Sequence, residues 1–128
     1  MIYEEITIAG KPVILGYCYA TEIAYKDMAG EDIANIIQET IAVVNTKQAR
    51  IPDTKRSIYL VLAAIMAYYE SKSEKAPIKD TDLMNDTTPL ELGTALGTII
   101  NLWAKFYNIP AGEPENKPAK GKGKKAKN

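Results

Sequence analysis

The spacing of hydrophobic and polar positions changes along the chain, and each change marks an element. Residues 3–8 (Tyr3, Glu4, Glu5, Ile6, Thr7, Ile8) are rich in β formers. Ala9-Gly10-Lys11 supplies a turn, with glycine where positive φ is needed. Val13, Ile14, Leu15 and Tyr17 then recur within residues 12–19. This pattern predicts a β-hairpin over 3–19. Pro12 fits only at a strand start or edge, and it is expected to remove a donor from the pairing. An isolated hairpin is marginal in water, so this one must pack on something or join another sheet.

Helical spacing follows. Thr21 to Met28 predicts a short helix over 21–29, stopped by Gly30. Ile33, Ile36, Ile37, Ile41 and Val44 form one apolar stripe, which predicts a helix over 32–47 that Pro52 separates from the next. Asp53 or Thr54 can cap a third helix over 54–72. Its middle, Ile58 to Met66, is apolar all round, so it should sit centrally. Lys72 to Pro77 is a polar break, and Asp80 could cap a short turn within 80–86. Thr88-Pro89-Leu90-Glu91 is a capping box with proline at the first helical position. The helix it opens should reach about residue 107, where Asn108-Ile109-Pro110 ends it.

From Ala111 no large apolar residue follows. Burial cannot offset the ordering entropy of such a segment, so 111–128 is expected to be a disordered tail. The predicted fold class is mainly α within α+β. An N-terminal β-hairpin precedes a four-to-five-helix bundle-like domain, and residues 1–110 form a single globular domain.

Charge refines this picture. Residues 1–110 hold 10 Lys/Arg against 14 Asp/Glu, whereas residues 111–128 hold six Lys against two Glu. A mildly acidic domain therefore carries a basic tail. Nucleic-acid binders usually carry the basic footprint on the domain itself. Lys117, Lys120, Lys122, Lys124, Lys125 and Lys127 could hold phosphates loosely, but no aromatic is interleaved for stacking. A solubilising role is at least as good a reading, so nucleic acid is disfavoured as a partner. The longest apolar run, Ile58 to Tyr69, is too short for a bilayer, which needs about 20 residues. The acidic start lacks the positive region of a signal peptide, and Cys18 has no second cysteine. No membrane partner and a cytoplasmic location are expected.

The residue inventory excludes many chemistries. Without histidine there is no Ser-His or Cys-His pair and no Cys/His zinc site. No Walker-A or G-x-G-x-x-G string occurs. Asp80, Asp82 and Asp86 could bind a hard cation, but helix capping is the simpler reading. Neither catalysis, a cofactor nor a metal is expected. Protein binding remains. Tyr17, Tyr19 and Tyr25 cluster near the hairpin, and tyrosine is enriched at interfaces, although such rings also roof cores. Ile33 and Ile37 lie on the second helix's stripe. Gly93 and Gly97 are four apart, which suggests close approach of another backbone, within the molecule or from a partner. Trp103 completes the candidate interface set.

The layout of Ile6-Thr7-Ile8-Ala9-Gly10-Lys11-Pro12-Val13-Ile14, then Ala20-Thr21-Glu22-Ile23, a helical body and a Lys-rich end resembles the tail assembly chaperones of long-tailed bacteriophages and prophages. The resemblance covers roughly residues 2–110 and is one of layout and spacing. It implies a non-enzymatic protein, in the cytoplasm of a bacterial host, that binds the tape measure protein. That long helical chain stays soluble until tail tube protein polymerises around it. The stripe of residues 33–44 and the exposed side of residues 90–106 are the expected apolar surfaces. The resemblance also implies, for some members, a longer product made by frameshifting, for which Lys124-Lys125 marks a candidate position. Other readings stay open: a small cytoplasmic adaptor, a homo-oligomeric structural or head–tail protein, or a nucleic-acid-associated accessory protein.

Overall fold

The computed structural model describes residues 1–45 and 53–110. The expected end of the second helix at 46–47, the break at Pro52 and the tail 111–128 lie outside the described residues. Two strands and five helices follow in order: β1 (Ile2–Ile8), β2 (Lys11–Tyr17), α1 (Tyr19–Ala29), α2 (Ile33–Asn45), α3 (Thr54–Ser71), α4 (Asp80–Asp86) and α5 (Pro89–Phe106). The mainly helical fold with an N-terminal hairpin agrees with the sequence expectation.

The hairpin turns on two residues, Ala9 (φ 52°) and Gly10 (φ 76°), both in the left-handed region that a tight type I′ connection requires. Ile8 pairs with Lys11 next to the turn, and the register runs unbroken to Ile2 with Tyr17. In a two-residue hairpin the pair beside the turn exchanges ladder bonds, and the pattern then alternates. Pro12, opposite Thr7, therefore points its imide nitrogen outward. The expected loss of a pairing donor does not occur.

One face of the hairpin enters the core through Ile8, Val13, Leu15 and Tyr17, all fully buried. Helices α3 and α5 cover it and supply Leu60, Val61, Ala64, Leu96, Ile99 and Leu102 to the same cluster. The central helix α3 is covered on most sides, as its all-round apolar middle demands. Tyr69 accepts the outward N–H of Ile14 at 3.1 Å, tying α3 to the outer edge of β2. Gly16 allows a close approach here: a Cβ built on it would lie 3.1 Å from the Cβ of Tyr68 and 2.6 Å from the Met1 sulfur. The Tyr68 ring then meets Tyr3 at 5.2 Å between centroids.

Helix boundaries follow local chemistry. Helix α1 begins two residues earlier than expected, because Thr21 accepts the Cys18 N–H at 3.2 Å and donates to the Gly16 carbonyl at 2.9 Å. It ends at Gly30 (φ 75°), whose N–H reaches Lys26. Asp53 caps α3 by accepting the Arg56 amide at 3.0 Å. Asp80 occupies the first position of α4 rather than its cap, which is Lys79. Thr88 and Glu91 form the expected capping box of α5, with amide-to-side-chain distances of 3.0 and 3.1 Å.

Candidate protein-docking groove

The C-terminal half of α5 lies beside α1 and the start of α2, and the three leave a groove of about 670 Å³. Ile23, Ile33, Trp103, Tyr107 and Ile109 supply its apolar lining. Glu22, Lys26 and Asp32 supply the polar part, where Lys26 and Asp32 form an exposed ion pair at 3.1 Å. Ile23 is 63% exposed. Tyr19, one turn earlier and 64% exposed, meets the edge of Phe106 at 5.2 Å. Thr21 and Tyr25 face the core from the opposite side of α1.

Glu22 fixes one wall. It accepts the Tyr17 hydroxyl at 2.8 Å and also the Tyr107 hydroxyl, 85 positions away. Burial, then the Glu22 hydrogen bond, pushes the Tyr17 hydroxyl far above its ordinary range. The Glu22 hydrogen bond, more than burial, pushes Tyr107 up to about 12. Both phenols therefore stay protonated donors near neutral pH. A second cluster braces α2. Glu31 accepts from the Tyr25 hydroxyl and from Arg56 Nε at 2.8 Å, and Arg56 also forks onto both Glu39 oxygens at 2.8 and 2.6 Å. The Glu39 hydrogen bond raises the Arg56 pKa despite desolvation. Burial opposes the charge on Glu31, but Tyr25 and Arg56 hold its carboxyl below the usual range.

The residues singled out from sequence separate. Ile33 and Trp103 line the groove, and Tyr19 lies close by through its contact with Phe106. Tyr17 and Tyr25 are fully buried with their hydroxyls bound to carboxylates, so neither offers contact surface. Ile37 is fully buried as well. The stripe of α2 is not a free surface, because Ile33, Ile36 and Ile37 already pack into the molecule's own core. Gly93 and Gly97 have nothing within 4 Å of a built Cβ, so no backbone approaches them within the described residues. The outer side of α5 is not the expected apolar face either. It carries Leu90, Gly93, Thr94, Asn101 and Lys105, largely small or polar. The six tail lysines lie outside the described residues.

Sequence reasoning missed Ile23, Tyr107 and Ile109. The signal was present for Ile23: Tyr19 and Ile23 lie one turn apart, opposite the Thr21 and Tyr25 face.

A further apolar depression lies at the other end of α5, between α3 and α4, lined by Ile58, Tyr59, Met84 and Leu92. Asp82 accepts the Lys79 amide and Asp80 the Thr81 amide, so both act in local capping. Among the described residues, no group of three or more His, Cys, Asp or Glu could hold a metal ion. No described helix is long and apolar enough to cross a membrane. Fold and groove define a small helical domain with a hairpin on one side and an open apolar cleft. No family model matches the chain, and neither a curated protein nor a solved structure matches it significantly.

Proposed function

We propose that this chain is a non-enzymatic assembly chaperone of the long-tailed phage type. It acts by stoichiometric binding, and the cleft between α1 and α5 holds an apolar helical stripe of the tape measure protein. The observation that carries this reading is the cleft itself: Ile23, Trp103, Tyr107 and Ile109 form an apolar lining open to solvent. Amphipathic helices lay their apolar face into such grooves through anchors one turn apart. On the α1 wall such a face would meet Ile23, with Glu22 and Lys26 as its polar neighbours. An exposed apolar surface that a later partner replaces is what a chaperone of a long helical chain needs. The strand, Gly10-Lys11, strand, helix layout supports the same reading, with Glu22 and Ile23 now on the groove wall. In this reading the protein works in the cytoplasm of a bacterial host, and tail tube protein displaces it.

The test is co-expression of the full chain with the tape measure protein encoded beside it. The expected result is a soluble complex retained on pull-down, with the fluorescence of Trp103, the only tryptophan, shifted on binding. An insoluble tape measure protein and an unchanged Trp103 signal would overturn the reading.

A further inference from the structure

We propose that the free edge of β1 is a second docking surface, which takes an extended basic segment of a partner protein as an added strand. The two edges of the hairpin differ. On β2, Pro12 has no N–H, the Ile14 N–H is held by Tyr69 at 3.1 Å, and the Gly16 carbonyl is held by Thr21 at 2.9 Å. On β1, the alternation that starts at Ile8–Lys11 points the N–H and C=O groups of Tyr3, Glu5 and Thr7 outward. No hydrogen bond reaches these groups among the described residues. All three residues are exposed.

An open strand edge is a template for another strand, and proteins usually blunt it with proline, lysine, a bulge or a short length. β1 is seven residues long and has no proline, lysine or bulge; of the charged side chains that also blunt such edges it has only acidic ones, which repel a like-charged strand and not a basic one. What it carries is Glu4 and Glu5, adjacent and exposed, with no ion-pair partner among the described residues.

Those two carboxylates decide the occupant. Residues directly opposite across a strand pair interact, favourably for opposite charges and unfavourably for like ones. A second copy pairing antiparallel about this acidic centre would set Glu5 against Glu5. A partner strand with two adjacent basic residues would instead place one beside each glutamate, one on each face of the sheet. Flanking β-branched residues would then meet Tyr3 and Ile6. Main-chain bonds supply the affinity and the glutamates supply the selection, as in other strand-addition complexes. The inference is independent of the α1–α5 groove.

The test is an NMR titration of the labelled full chain with the capped peptide Thr-Val-Lys-Arg-Val-Thr. The comparison peptides carry two glutamates in place of the basic pair, or N-methyl groups on the amides that would face β1. The basic peptide is expected to shift the Tyr3, Glu5 and Thr7 amides and slow their hydrogen exchange, and N-methylation is expected to abolish this. Replacing Glu4→Lys and Glu5→Lys together should invert the peptide preference, by about tenfold if each cross-strand pair contributes a typical amount. Four results would overturn the proposal: no β1 response at millimolar peptide, equal responses to basic and acidic peptides, full binding by the N-methylated peptide, or shifts centred on Trp103. Concentration-dependent shifts of the β1 amides without peptide would also overturn it, by assigning the edge to a second copy.

Discussion

The Glu91 carboxylate accepts the Gly10 amide at 3.3 Å, joining the first turn of α5 to the hairpin tip 81 positions earlier. The Ala9 amide reaches the same carboxylate at 3.1 Å, and Thr88 completes the set from within the capping box. One side chain thus closes a helix end and holds a turn whose amides have no ladder partner.

This shared role sets a pH dependence. The Thr88 amide first, then the Gly10 and Ala9 amides, hold the Glu91 carboxyl below the usual range against the opposing effect of desolvation. A carboxyl with a depressed folded-state pKa contributes stability above its unfolded value and loses it as pH falls through the folded one. Glu91→Gln is therefore expected to lower the urea midpoint at neutral pH. The gap between variant and parent should close as acid protonates Glu91. A gap that stays constant from neutral to acid pH would remove the carboxylate from this account.

Glycines at two places should respond in opposite directions. At Gly16 a Cβ would meet the Tyr68 Cβ at 3.1 Å, and that atom cannot move without shifting α3. Gly16→Ala is expected to cost about 1–3 kcal/mol, as overpacking does. Gly93 and Gly97 lie in a helix with open space around them. Alanine there should stabilise the free protein by roughly 1 kcal/mol each, from helix propensity alone. Urea unfolding of the three variants checks both signs.

The parts of the fold that were legible in sequence are those set by local chemistry. Thr88 and Glu91 are three residues apart, so their reciprocal cap is readable without the fold, and Gly30 likewise stops α1 by its own backbone. The parity of the hairpin was not legible. A turn of two residues rather than three reverses which side Pro12 faces, and Ala9 at positive φ is what makes it two. Nor was the fate of the tyrosines. Tyr17 and Tyr19 look alike in sequence, but only Tyr17 shares Glu22 with Tyr107 from the far end of the domain. A pairing over that distance leaves no mark on local pattern. The same holds for the groove, whose walls come from α1, α2, the end of α5 and the residues after it.

Arg56 is expected to matter through geometry as well as charge. Its guanidinium bridges Glu31 and Glu39, and so fastens α2 to α3 and to the end of α1. Glu39 is about half exposed, which discounts its share. Arg56→Ala should cost about 1–2 kcal/mol. Arg56→Lys should recover only part of this, because an ammonium cannot fork onto one carboxylate while holding another. Hydrogen exchange should rise first in α2. Faster exchange spread evenly over the domain would instead indicate a global loss of packing.

The groove makes the sharpest separation between stability and binding. Ile23 is 63% exposed, so Ile23→Asp removes little buried surface. The stability change should stay within about 0.5 kcal/mol. For a helix seated between α1 and α5, however, the new carboxylate would stand in the apolar floor beside Glu22 and opposite Trp103. Burying an unpaired charge there is strongly unfavourable. If the proposed function holds, Ile23→Asp is therefore expected to abolish retention of a tape measure protein while leaving the urea midpoint nearly unchanged. Leu90→Asp makes the comparison, since Leu90 is 81% exposed at the opposite end of α5 and outside the groove lining. Loss of binding in the Leu90 variant with full binding in the Ile23 variant would move the docking surface to the N-terminal end of α5.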